Sequence, residues 1–103
     1  MYIYNVTVNV DESIHQDWLQ WLQKEHIPEM IATGKFTKAL VTRVMVEEEL
    51  GGITYAIQYR CPNKETLDKY YKENAETLRA KSAQFKDKFV AFRTELQILS
   101  EHG

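Results

Sequence analysis

Cysteine is nearly missing from this sequence. Cys61 stands alone, which excludes an intramolecular disulfide and a zinc site built from several thiolates. A lone thiol fits a reducing compartment, so a cytoplasmic location is expected. Glycine is confined to four positions and proline to two, Pro28 and Pro62, so low-complexity linkers and collagen-like repeats are excluded. No apolar run approaches the roughly 20 residues that span a bilayer, and no membrane association is expected. The opening residues Met-Tyr-Ile-Tyr-Asn-Val have neither a basic start nor an apolar core, so a secretory signal is not expected. Charge of one sign is also lacking. Thirteen basic residues against 15 acidic give a formal net charge of −2, and no clustered basic face to displace phosphate counterions, so nucleic acid is not an expected partner.

What is present is an ordinary globular composition, 44% hydrophobic and 27% charged, over 103 residues. That length suits one domain, residues 1–103, which can close a core without covalent staples. The first strand runs from Tyr2 to Val10, where Tyr4, Val6, Val8 and Val10 alternate with Asn5, Thr7 and Asn9. Asp11-Glu12-Ser13 opens a helix, with Ser13 and Gln16 spaced as a capping box. Ile14, Trp18, Trp21 and Leu22 form its apolar stripe. Pro28 lacks an N–H and its ring clashes with the carbonyl of Lys24, which predicts a kink. Gly34 then supplies the left-handed residue that ends the helix.

From Phe36 to about Glu47 the chain alternates again, Leu40, Thr42, Val44 and Val46 against Val41, Arg43 and Met45. Gly51-Gly52 signals a hairpin, and Glu47-Glu48-Glu49 beside it reads as a solvated tip. Ile53 to Cys61 is the return strand. Asn63 caps a second helical segment with Leu67, Tyr70, Tyr71, Ala75, Leu78 and Phe85 on its stripe and a break expected near Asn74. The last strand, Phe89 to Leu99, sets Val90, Phe92, Thr94, Leu96 and Ile98 against Ala91, Arg93, Glu95 and Gln97.

Strand, helix, strand, strand, helix, strand is the ferredoxin-like β-α-β-β-α-β order of an α+β fold. It predicts a four-stranded antiparallel sheet, strands one and three central and both helices on one face. The more apolar side of every strand is expected beneath the helices. The other face then collects Asn5, Thr7, Arg43, Gln58, Arg60, Arg93, Glu95 and Gln97, with Ile3, Val41, Met45 and Phe89 among them. A face so mixed suits neither open solvent nor a permanent core. It suits a homodimer formed sheet to sheet about a two-fold axis.

The run Trp18-x-x-Trp21-x-x-x-x-His26-x-Pro28-x-Met30-x-x-x-Gly34-x-Phe36, after a polar-alternating first strand, resembles the dimeric α/β-barrel superfamily. That superfamily includes EthD-like proteins and small antibiotic-biosynthesis monooxygenases. Within it the chain looks most similar to an unknown-function family of short bacterial proteins, mainly from Bacteroidota. The resemblance implies a ferredoxin-like monomer whose sheet pairs with a partner's to close a barrel, and a ligand site between sheet and helices. Fold alone implies no activity, because the superfamily hosts oxygenases, isomerases and haem proteins alike.

His26 is the leading candidate for chemistry. It lies four residues after Leu22 and eight after Trp18, bordering their stripe beside the expected kink. Only histidine titrates near neutrality unperturbed, which suits a general base or a hydrogen-bonding anchor. The plainer reading is a half-buried histidine bonded to a carbonyl or carboxylate. Trp18 and Trp21, with Tyr4, Tyr55 and Tyr59, either line a ligand pocket or simply fill the helix–sheet gap. A buried Tyr55 or Tyr59 hydroxyl needs a partner, and His26 is the candidate. Arg43, Arg60, Arg93 and Glu95 read as an interfacial ion-pair network, with an anion site in the barrel lumen as the alternative. No metal site is expected: His15, His26 and His102 never occur at ligand spacing, and Glu25 diverges from His26 by about a hundred degrees. No cofactor is expected. Two readings follow: a homodimer binding or modifying a small organic molecule through His26, Trp18, Trp21, Tyr55 and Tyr59, or a non-catalytic dimeric interaction domain.

Overall fold

The computed structural model describes residues 1–46 and 51–103. The acidic run Glu47-Glu48-Glu49 lies outside the described residues. Four strands, β1 (Tyr2–Val10), β2 (Lys38–Arg43), β3 (Ile53–Cys61) and β4 (Phe89–Gln97), form one antiparallel sheet in the order β2-β3-β1-β4. The expected α+β, ferredoxin-like arrangement with strands one and three central is what forms. Strands β1 and β3 occupy the residues expected of them. β2 is shorter than Phe36–Glu47 at both ends, and β4 stops two residues before Leu99.

Two helical segments cover one face. The first comprises α1 (His15–Trp21), a π-helical turn (Leu22–His26) and α2 (Ile27–Ala32). The second comprises α3 (Lys64–Tyr70), a π-helical turn (Tyr71–Ala75), α4 (Glu76–Ala80) and a 3-10 turn (Lys81–Phe85). Their stripes, Trp18, Trp21, Leu22 and Met30 from one and Leu67, Tyr70, Ala75, Leu78 and Phe85 from the other, meet Tyr4, Val8, Ile57 and Tyr59 in one buried cluster. Among the described residues no charged or polar side chain is fully buried. Each tryptophan removes roughly 200 Å² from water, on the order of 5 kcal/mol of transfer free energy before ordering costs.

Local chemistry explains the helix ends. The expected capping box at Ser13 is replaced by a turn around Asp11, whose Oδ1 accepts from the Ser13 N–H at 2.8 Å and the Ser13 hydroxyl at 2.6 Å. The helix begins at His15 with Ile14 at the N-cap, so Ser13 stands one residue too early to cap it. The two Ser13 donors hold the Asp11 carboxyl below the usual range. Asn63 does cap α3, its Oδ1 accepting from the Thr66 N–H at 2.8 Å. At Asn74 the helix widens into a π turn rather than breaking, and Lys35 Nζ donates to Asn74 Oδ1 at 2.6 Å.

The sheet register corrects the expectation for both edge strands. Residues paired across an antiparallel ladder share a face. Arg93 pairs with Val6, Glu95 with Tyr4 and Phe89 with Val10, so these side chains lie beneath the helices. Val41 pairs with Ile57 and Arg43 with Tyr55, on that same side. The open face instead carries Leu40, Thr42, Val90, Phe92, Thr94 and Leu96 beside Ile3, Asn5, Thr7, Ala56, Gln58 and Arg60. The interfacial network of Arg43, Arg60, Arg93 and Glu95 is therefore not formed. Arg60 alone faces out, bonded to Glu101 at 2.8 Å, and Glu95 accepts from Lys64 at 2.7 Å.

Candidate functional site

A π turn accommodates one extra residue per turn and is enriched at functional sites. In the first helical segment it is closed by the Ile27 N–H bonding the Leu22 carbonyl, five residues back. Where a kink at Pro28 was expected, the turn immediately before it widens, and the chain runs on from it into α2 with helical backbone at His26. The widened turn ends on His26. Its ring stacks on Trp21 with centroids 4.8 Å apart and planes 24° from parallel. Phe85 meets the same indole edge-on at 5.5 Å.

His26 opens onto a cavity of about 60 Å³ between the helices and the sheet. Val6, Val8 and Ile57 form its floor, and Trp18, Trp21, Leu22 and Met30 its apolar wall. The Tyr4, Tyr59 and Tyr70 rings add aromatic surface, Phe89 and Ala91 add apolar surface from β4, and Arg79, Ser82 and Arg93 complete the lining. The two arginines are solvent-exposed, so they mark the mouth. The volume admits a few waters or a short hydrocarbon chain, well below the roughly 300 Å³ and upward of drug-sized pockets.

Burial sets the chemistry of the lining. It lowers the His26 pKa from 6.5 to about 4; Glu29 opposes that trend, while Arg93 and Lys81 reinforce it. Lys81 also donates to Glu29 in a short ion pair. At neutral pH the imidazole is therefore uncharged. Its buried Nδ1 has no hydrogen-bond partner among the described residues. Burial also raises the phenols of Tyr59 and Tyr70, keeping them protonated. Tyr70 Oη donates to Met30 Sδ at 3.4 Å, and Tyr4 Oη accepts from Arg79 Nη2 at 2.9 Å.

The structure thus brings together four of the five residues singled out from the sequence: His26, Trp18, Trp21 and Tyr59. Tyr55 is a correction. It lies behind Trp18, centroids 5.4 Å apart, and outside the cavity lining. Its hydroxyl forms a short hydrogen bond with His15 Nε2 rather than reaching His26, and the two rings stack at 5.6 Å. The register decides this, since Tyr55 pairs with Val8 toward the α1 start while Tyr59 pairs with Tyr4. Arg79 was missed. Its signal was a cation at i+4 and i+8 from Ala75 and Tyr71 on a buried stripe. Arg93 was seen but placed on the wrong face.

Cys61 is buried, its Sγ donating to the Asn63 carbonyl at 3.4 Å, and burial pushes the thiol pKa up, away from reactivity. Among the described residues no three His, Cys, Asp or Glu side chains gather as a metal cluster. No helix among them is long and apolar enough to cross a membrane.

A family model described as Domain of unknown function (DUF4286) matches residues 1–99. No curated protein matches the sequence. Among solved structures, a dimeric ferredoxin-like protein from an uncultured marine organism superimposes with a TM-score of 0.72 at 10% identity, covering 98% of this chain and 97% of that one. An antibiotic-biosynthesis monooxygenase, so described provisionally, from Bacillus cereus gives 0.67 at 17% identity over 99% and 96%. An EthD family protein from Bacillus halodurans gives 0.65 at 12% over 91% and 97%. At such identities the likeness speaks for the fold alone.

Proposed function

Since this chain belongs to the family described as Domain of unknown function (DUF4286), which names no activity, we propose a function from the site itself. The protein binds a small organic molecule in the cavity between the first helical segment and the sheet. His26 anchors it, and Trp18, Trp21 and Tyr59 pack around it. The observation that carries this reading is His26 itself, whose ring lines an apolar cavity and whose buried Nδ1 has no hydrogen-bond partner among the described residues. Leaving a buried nitrogen unbonded costs about 1–3 kcal/mol, and a ligand group that bonds it recovers that cost.

A neutral imidazole with a pKa near 4 is a hydrogen-bonding group first and only a weak base. That favours binding over proton abstraction; cofactor-free proton transfer or oxygenase chemistry would need the ligand itself to raise the imidazole's basicity. The chain also acts as a homodimer through its open sheet face. Support comes from Phe92, Val90, Leu40 and Leu96, which are 67%, 56%, 50% and 41% exposed on that face, and from the dimeric ferredoxin-like neighbour. A non-catalytic dimeric domain shares that interface and differs only in having no ligand.

A thermal-shift panel of small organic acids, phenols and amides on wild type and His26→Ala separates the two. We expect at least one compound to raise the wild-type Tm by several degrees, as ligand linkage requires, and the variant's far less. A panel in which nothing stabilises the wild type would sink the ligand reading and leave the interaction domain.

A further inference from the structure

We infer that the cavity takes the anionic form of a small apolar acid. Its charged oxygens lie at Arg79 and Arg93, and its hydrocarbon part between Trp18, Trp21 and Ile57. The inference deepens the ligand-binding reading above and rests on it.

The cavity's charged lining is one-signed. Arg79 from α4 and Arg93 from β4 line it, and no carboxylate does. The neighbouring cation Lys81 is paired with Glu29, as Lys35 is with Glu73 at 2.7 Å and Lys64 with Glu95 at 2.7 Å. Neither Arg79 nor Arg93 makes an ion pair among the described residues. The cavity mouth is thus locally positive in a chain whose formal net charge is −2. Arg79 donates to Tyr4 Oη through one terminal nitrogen, which fixes its position and leaves other N–H donors of the guanidinium fork unspent. A planar fork matches a carboxylate or enolate oxygen pair in geometry as well as charge.

The interior below this mouth is apolar and aromatic, with phenols that remain protonated and an imidazole that remains neutral. An acid with a short hydrocarbon tail would place each half where the lining suits it. A polyanion would find nothing beyond the two guanidiniums. A neutral molecule would leave both guanidiniums at the mouth without a bound counter-charge. Bound anion would also offset the Arg93 field that helps keep His26 neutral, so that ligand and imidazole are electrostatically linked.

The test is a titration of propanoate, butanoate and benzoate against their matched amides at low ionic strength, read by tryptophan fluorescence and Tm. Wild type, Arg93→Gln and Arg60→Gln are compared. Arg93 is exposed, so its variant folds, which far-UV dichroism checks; Arg60 is a cation on the opposite face. Carboxylates are expected to bind about tenfold or more tighter than amides, a preference lost in Arg93→Gln and kept in Arg60→Gln. Acid and amide binding alike would overturn the anion assignment while leaving the ligand site standing. Carboxylate binding unchanged in Arg93→Gln would overturn it too, as binding elsewhere. If neither series binds, the cavity reading falls and this inference with it.

Discussion

His26 owes its chemistry to its surroundings rather than to its own side chain. Trp21 covers one face of the ring, Glu29 and Lys81 approach from α2 and the 3-10 turn, and Arg93 approaches from β4. Burial outweighs the single favourable carboxylate, so the folded state resists protonating this residue until about pH 4. The unfolded chain takes up the same proton near 6.5. Stability is therefore unaffected above pH 6.5, falls between 6.5 and about 4, and levels below that. The gap corresponds to about 3 kcal/mol. His26→Gln removes this contribution. Subtracting its urea-unfolding free energies from those of wild type across pH 7 to 4 should leave a decline of that order, carboxylate titrations cancelling. A flat difference would show that His26 is solvated. The residue was singled out in the sequence by its place on the Trp18–Leu22 stripe. Its neutrality was not, because it depends on burial in the folded core and on the charges of Lys81 and Arg93, which arrive from the far end of the chain.

At the scale of elements, Gly34 and Gly52, two of the three glycines with left-handed backbone around β2, do different work. Gly34 (φ +78°) ends α2 with open space where a Cβ would go. Gly52 (φ +82°) enters β3, where a Cβ would stand 2.6 Å from Asn9 Oδ1 and 2.9 Å from the Val10 carbonyl oxygen. Gly34→Ala meets only backbone strain, about 1 kcal/mol. Gly52→Ala adds a clash with backbone and should cost about 2 kcal/mol or more. Urea midpoints at unchanged m-value measure both, and equal losses would show that the β1–β3 approach relaxes freely. Pro28 illustrates the same scale. Its effect on the helix was legible, but the relief is a widened turn upstream, because packing Trp21 and Met30 on the same sheet keeps both helical halves in place.

For the whole molecule the open sheet face is decisive. Burying its apolar side chains against a second copy would suit a standard interface of roughly 800 Å² per partner. Phe92→Asp places two buried charges about the two-fold axis and should yield monomer by light scattering at micromolar concentration, with the fold retained in circular dichroism. A wild type already monomeric there would refute the dimer. The expected face-to-face pairing no longer leans on arginine–glutamate pairs, since the structure turned those residues inward or toward the C-terminal tail.

The sequence by itself determined the element order, the central strands and the two covering stripes. In each of these, one periodicity dominates: polar alternation in β1, apolar spacing in the helices. It also singled out His26 beside Pro28 as the candidate residue. Only the tertiary structure decided which way the edge strands face. In β2 and β4 both alternating sets contain apolar residues, and pairing with β3 and β1 outweighs the preference of the more apolar set for the interior. That register sends Val90, Phe92 and Leu96 outward and brings Arg93 to the cavity. The one-residue difference in facing is what turns an expected interface arginine into a wall of the candidate site.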